Sequence, residues 1–226
     1  MNKVLVIAAH PDDEVLGCGG TIAKLAKEGH SIFTLILGEG VTSRNISKIK
    51  GKKEMKILRK STVKANKLLG VKRVFFHNFP DNKFDSVPLL EIVKDVEEIK
   101  NQIRPKIIFT HYEKDLNIDH RITYQAVITA TRPVINETVK EIYSFEVLSS
   151  TEWAYPISFS PDIFYDISKT INDKLVALLS YKSELRGSCH PRSLSGIWNN
   201  AKFWGQKVGL GYAEAFKCIR IIKGDK

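Results

Sequence analysis

The sequence predicts an α/β fold, a mostly parallel sheet covered by helices on both faces, and three observations carry that expectation. Short apolar runs alternate with amphipathic stretches over the first 150 residues. Gly29, Gly70 and Pro105 each close an amphipathic stretch. The first run, Val4-Leu5-Val6-Ile7-Ala8-Ala9, is apolar throughout, as a strand buried on both faces requires. Strands that alternate with helices pair in parallel through right-handed crossovers.

After the strand over 4–9, the segment 17–27 places Ile22, Leu25 and Ala26 at helical spacing. A strand is expected over 31–37, a helix over 55–69 and a strand over 71–76. The helix over 89–103 carries Leu90, Val93, Val96 and Ile99 on its apolar side. A strand follows over 106–110, a helix over 119–131 and a strand over 141–148. Past residue 150 the pattern loosens, beginning with the irregular, aromatic Trp153-Ala154-Tyr155-Pro156. A strand over 164–167, helices over 171–184 and 194–208, and a last strand over 215–222 are expected there. No repeat, low-complexity tract or linker interrupts the chain. The expectation is therefore one domain over 1–226, with 150–226 as an elaboration of it.

No apolar run approaches the ~20 residues that a membrane-spanning helix needs. The run at 4–9 is also too short for a secretory signal, and charged residues follow it at once. Cys18, Cys189 and Cys218 are odd in number and form no CxxC pair. Reduced thiols in a cytoplasmic protein are the simplest reading. The net charge of +10 has three readings: a solvated surface, an anionic small substrate, or nucleic acid. Lysines and one arginine crowd the segment 48–67, but no aromatic residue interleaves them and no nucleic-acid motif accompanies them. The expectation is no nucleic acid.

In open parallel sheets, ligands gather beyond the carboxyl ends of the strands. After the first strand comes His10-Pro11-Asp12-Asp13-Glu14, a charged cluster with no turn to carry it from the core. Burying it without partners costs several kcal/mol per charge. A divalent cation compensates, and the imidazole of His10 with the carboxylate of Asp13 suits zinc. A helix N-terminus rich in acids because of its dipole is the alternative. A second polar cluster, His111 to Arg121, follows the strand over 106–110. Asp119 there is expected to cap the next helix and place His120 in its first turn. Two clusters with His and Asp suggest a three-ligand site with an open fourth position, the usual arrangement of catalytic zinc.

The run Ala8 to Gly20, Ala-Ala-His-Pro-Asp-Asp-Glu-Val-Leu-Gly-Cys-Gly-Gly, resembles the signature of the PIG-L/LmbE-like zinc-dependent N-deacetylases. Asp119-His120-Arg121 is similar to that family's second signature. Leu37 to Gly40, Leu69 to Val71, Phe79 to Asp81 and Tyr212 to Phe216 also look familial. The resemblance implies a Rossmann-like three-layer sandwich and removal of acetyl groups from N-acetylglucosamine-type conjugates. It implies His10, Asp13 and His120 as zinc ligands and Asp12 as general base. Many members carry a His where this chain has Asn117, to stabilise the oxyanion or relay protons. An amide donates a hydrogen bond but carries no proton, so zinc alone, His111 or His190 stands in for it.

On this reading zinc lowers the pKa of water from 15.7 toward roughly 7 and polarises the amide carbonyl, while Asp12 takes the proton. Iron or another divalent ion is an alternative metal. Arg44, in a loop at the ligand-binding edge, is the candidate grip on an anionic or hydroxylated part of the substrate. Asp81 and Asn117 are candidates for further substrate contacts, as is His190 within Cys189-His190-Pro191-Arg192-Ser193. Trp153, Tyr155 and Trp198 are candidates to stack on a sugar ring. The expected partner is a small amino sugar, phosphorylated or nucleotide-linked if the basic surface serves it. Assembly as a homo-oligomer is common in the family. An amidase acting on a thiol or other conjugate shares the same zinc chemistry. A dinucleotide-binding module fits less well: Ile22 stands where the fingerprint needs Gly or Ala, and the carboxylates occupy the pyrophosphate position.

Overall fold

A computed structural model describes residues 1–41 and 47–224. Among the described residues, seven strands form one sheet: β1 (Lys3–Ala8), β2 (Ser31–Gly38), β3 (Arg73–Phe79), β4 (Ile107–His111), β5 (Glu141–Phe145), β6 (Ile163–Asp166) and β7 (Ala213–Ile221). Their order is β3-β2-β1-β4-β5-β7-β6. The first five strands pair in parallel, and β7 runs antiparallel to both β5 and β6. The six α-helices of the described residues are α1 (Asp13–Lys27), α2 (Lys48–Leu68), α3 (Leu89–Ile103), α4 (Ile118–Ala130), α5 (Ile171–Leu178) and α6 (Leu194–Lys207).

The expected mostly parallel α/β sandwich is present, and β1 shows why its sequence is apolar throughout. Its side chains alternate between two cores. Val4 and Val6 pack with Val15 and Ile22 of α1, Leu58 and Ala65 of α2 and Leu178 of α5. Leu5 and Ile7 pack with Ile92 and Val96 of α3 and Ala126 and Val127 of α4. Neither face of the central strand reaches water, so no polar residue alternates in.

The three largest boundary differences from expectation fall on helices; among the strands, β3 ends at Phe79 rather than 76 and β5 at Phe145 rather than 148. Helix α1 begins at Asp13, four residues before Gly17, and breaks at Cys18 (φ −145°, ψ 25°). Its glycines are poor helix formers, which hides the early start. At Gly17 a Cβ would stand 2.2 Å from the ring of Phe145, so only glycine lets α1 lie against β5. Helix α2 begins at Lys48 rather than Met55, because its polar first turns have no apolar stripe to reveal them. Helix α5 stops at Leu178 and continues only as a 3-10 turn, Leu179–Tyr181.

The break in α1 is stapled from the far end of the chain. Glu214 of β7 accepts the backbone N–H groups of Gly20 and Thr21 at 2.9 and 2.7 Å. Lys174 of α5 donates to Glu214 Oε1 at 2.6 Å and to the Leu16 carbonyl at 2.7 Å. No helix among the described residues is long and apolar enough to cross a membrane. The three cysteines are unpaired.

Candidate metal centre

The chain leaves β1 into His10-Pro11-Asp12-Asp13-Glu14 at the carboxyl edge of the sheet. Asp12, the N-cap of α1, sits in the left-handed region at φ 98°. For a residue other than glycine that costs about 1–3 kcal/mol unless its surroundings over-determine it. They do: Asp12 N–H donates to Glu14 Oε2 at 3.0 Å, and its carbonyl accepts from Val15 and Leu16. Glu14 is fully buried, and it accepts in addition from Asn66 Nδ2 at 2.8 Å and the Tyr181 hydroxyl at 2.6 Å. Burial pushes its pKa up to about 7 against those hydrogen bonds. The fifth residue of the motif thus acts as a prop that turns Asp12 outward.

The second cluster arrives from β4 and the start of α4. The expected cap role of Asp119 belongs instead to Asn117, whose side-chain oxygen accepts Asp119 N–H at 2.8 Å. Asp119 is left to turn inward. Its carboxylate accepts from the backbone N–H groups of Asn82 (2.6 Å) and Phe84 (3.0 Å), and His10 Nε2 lies 2.8 Å from it. With a carboxylate acceptor, Nε2 carries the proton, and His10 Nδ1 remains to face Asp13 Oδ2 at 3.4 Å. His120 Nε2 stands 3.2 Å from the same oxygen. Its Nδ1 lies 3.1 Å from Asp115 Oδ1. Asp115 is held in turn by the hydroxyls of Ser150 and Thr151 and by Asn117 N–H.

These distances fit a tetrahedral ion. Zinc bonds of about 2.0–2.1 Å put neighbouring ligand atoms about 3.3 Å apart, and the two Asp13 distances are 3.4 and 3.2 Å. The ligand atoms of His10, Asp13 and His120 all lie within 4.8 Å of one another. A second trio, His10, Asp81 and Asp119, meets the same distance. It is the poorer candidate, because Asp119 is saturated by backbone donors and stands outside the lining of the adjoining cavity. His10, Asp13 and His120 all line that open cavity of about 170 Å³. Both ligand imidazoles therefore have a carboxylate behind them, the arrangement that fixes tautomer and ring direction in metal sites.

Without an ion, the charges lean on one another. Burial lowers the pKa of His10, but Asp119, Asp13 and Asp81 outweigh it and raise it to about 10. Burial likewise opposes protonation of His120, yet Asp13 and Asp115 raise it to about 9. Asp13 is held well below the usual carboxylate range by His120 and His10, which outweigh burial. Asp12 goes the other way: burial raises it, Arg192 opposes, and Asp13, Glu184 and Glu14 add to the rise.

The structure brings most of the expected residues to one place. Asp12, Asp81 and Asn117 line the cavity with the ligand trio, joined by Asn82, Glu184 and Arg192. Asp81 Oδ1 lies 3.2 Å from His10 Nε2, and Asn117 Nδ2 donates to Asn82 Oδ1 at 3.0 Å. Arg44 lies outside the described residues. His190 does not line the cavity. Its ring accepts Arg192 N–H at 3.0 Å and packs edge-on against Trp153, so the tight turn points His190 away and Arg192 inward. Arg192 Nη1 reaches Asp12 Oδ2 at 3.4 Å, with Nε anchored on the Leu148 carbonyl and Ser149 Oγ. His111 does not line the cavity either. It is fully buried, its Nε2 accepts Ala9 N–H at 2.8 Å, and burial followed by His120 lowers its pKa. Its ring stacks on His120 at 3.9 Å. Trp198 packs against Tyr212 rather than toward a sugar. Sequence reasoning missed Glu184 and Asp115, whose spacing carries no periodic signal, and reached Arg192 only as one of a basic pair in the turn 189–193.

The fold and this site define a class of protein: an α/β protein with a two-histidine, one-carboxylate candidate metal centre beside a second buried carboxylate. The family described as PIG-L, GlcNAc-PI de-N-acetylase, matches residues 5–131, and the chain belongs to that family. Its relatives include the uncharacterized deacetylase YaiS of Escherichia coli K12, 31% identical over 80% of this chain and 90% of the relative. The diacetylchitobiose deacetylase of Thermococcus kodakarensis is 28% identical over 99% of this chain and 84% of its own. The structure of N,N'-diacetylchitobiose deacetylase from Pyrococcus horikoshii superposes with a TM-score of 0.78 at 25% identity, covering 97% of this chain and 84% of that one.

Proposed function

We propose that this chain is a zinc-dependent de-N-acetylase of an amino sugar. The observation that carries the reading is the convergence of His10 Nδ1, Asp13 Oδ2 and His120 Nε2 on a cavity that Asp12 also lines. Two imidazoles and a carboxylate suit zinc. When bound, the ion supplies Lewis acidity, polarising the amide carbonyl and making water acidic enough to act near neutral pH.

The chain's own residues do the rest. Asp12 is the base that takes the proton of the attacking water, and it returns that proton to the departing amine. Its left-handed backbone, pinned by Glu14, aims the carboxylate into the cavity. Arg192 keeps that carboxylate from swinging away and offsets part of its burial. Asn117 lines the cavity with its oxygen committed as a cap and its amide nitrogen donating to Asn82 Oδ1, so it meets the developing oxyanion as a donor rather than a proton relay. Asp81, Asn82 and Glu184 give the lining the hydrogen-bonding character that sugar hydroxyls need.

Apart from the ligand imidazoles, Arg192 is the cation of that lining among the described residues, and Asp12 engages it. Strands β6 and β7 complete the same sheet, and Glu214 of β7 with Lys174 of α5 staples α1, which supports a single domain over 1–226. Three unpaired thiols support a cytoplasmic enzyme.

Metal analysis combined with acetate release from N-acetylamino sugars, free and phosphorylated, tests the reading. Asp12→Asn is expected to retain zinc while kcat falls about 10²–10⁴-fold, the usual contribution of a placed base. Normal turnover by a zinc-loaded Asp12→Asn variant removes Asp12 from the role. Zinc-free protein with full activity removes the metal.

A further inference from the structure

Most of the protein's net charge sits on one helix. Helix α2 carries eight lysines and one arginine against a single glutamate, a net +8 of the chain's +10. At 1.5 Å per residue, its 21 residues extend about 32 Å. Its inner face is spent on the core: Leu58, Thr62, Ala65 and Asn66 are buried, and Asn66 holds Glu14. Arg59 is spent as well, donating to the His77 carbonyl and the Asn78 side chain.

The outer face is left. Lys53, Lys56, Lys60, Lys64 and Lys67 are exposed and recur every three or four residues, which lines them up as one ridge. Among the described residues, none of the five is in an ion pair. Exposed Ile57, Val63 and Leu68 flank the ridge, and a shallow groove lined by Met55, Arg59 and Val63 runs between the lysines.

We propose that the outer face of α2 docks the protein on an anionic lipid bilayer. The lysine ammoniums rest on headgroup phosphates, and the flanking Ile57, Val63 and Leu68 enter between the headgroups. Charge complementarity selects a polyanion, and the apolar flanks select among polyanions. Basic helices with interspersed apolar side chains gain from the headgroup–acyl boundary. A nucleic-acid backbone would use the lysines but strand the apolar residues in water. The ridge also offers no aromatic side chain to stack a base and no arginine to read one.

Co-sedimentation of the full chain with vesicles tests the proposal. Vesicles of phosphatidylglycerol in phosphatidylcholine are expected to pull the protein down at low salt and release it at high salt. Pure phosphatidylcholine vesicles are expected to leave it in solution. The variant K53Q/K56Q/K60Q/K64Q is expected to lose affinity by about two to three orders of magnitude, at about fivefold per lysine, with its melting temperature unchanged. Ile57→Ser is expected to weaken vesicle binding several-fold while leaving binding to duplex DNA unmoved. Equal binding to both vesicle types overturns the proposal, as does undiminished binding by the quadruple variant. Preference for duplex DNA in direct competition at equal phosphate overturns it in favour of nucleic acid. The wild-type salt series and the Ile57→Ser arm decide the matter even if the quadruple variant fails to fold.

Discussion

Helix α1 has two buried polar clusters, one at its start and one at its break, and they are built to opposite ends. At the break, Glu214 takes two backbone N–H groups and the ammonium of Lys174, which also serves the Leu16 carbonyl. Donors and acceptors there saturate one another, so the cluster closes a gap in the helix and has nothing left for a ligand. At the start, Asp13 faces two imidazoles whose remaining nitrogens are already committed to Asp119 and Asp115. Their other ring nitrogens and the Asp13 carboxylate lie within 4.8 Å of one another at the edge of a cavity. Burial is the same in both places. What separates scaffold from candidate site is whether the partners are used up or aimed.

Variants of the two clusters should fail in different ways. The largest expected effect is at the start of α1: His120→Ala should strip zinc and lower turnover about a thousandfold or more, since a lost Lewis acid is worth several kcal/mol. Metal content and acetate release measure it, and a zinc-replete, active variant would dissolve the contrast. Next comes Lys174→Met, which leaves Glu214 buried without its counter-ion. Removing one partner of a buried pair costs about 3–5 kcal/mol, to be read by denaturant unfolding, while zinc per folded molecule stays at the wild-type value. Loss of zinc in the folded fraction would mean that the two clusters are one.

Smaller effects sharpen the picture. Asp115→Ala removes the carboxylate behind His120 and should weaken metal affinity about 10–100-fold with the ligand trio intact. Competition with a chelator reads this. The smallest signal is protonic. The metal-free imidazoles of His10 and His120 have pKa values raised to about 10 and about 9, so both hold an extra proton at neutral pH. Zinc must displace one from each, so about two protons should leave per ion at pH 7. Release should fall and affinity rise as pH climbs through 9 to 10. Calorimetry in buffers of differing ionisation enthalpy measures the release, and none at pH 7 would place the metal elsewhere.

The chain's apolar rhythm determined the layered α/β architecture, because burial of a strand or helix face is written at every second or every third and fourth residue. Val4 to Ala9 declares a central strand, and Leu89 to Ile103 declares a helix, from their own residues alone. The two polar clusters also announce themselves, since charged side chains directly after buried strands demand compensation. Tertiary structure alone decided which way the loop side chains point. His190 and Arg192 are two residues apart in one polar turn, yet only Arg192 faces Asp12. Asp119 reads as a helix cap, yet its neighbour Asn117 takes that bond and frees it to orient His10. Glu214, 194 residues beyond Gly20, gives no sign of closing the break in α1. The contacts these side chains go on to make, Arg192 with Asp12, Asp119 with His10 and Glu214 with Gly20, join segments far apart in the chain, and such bonds leave no period for a sequence to display.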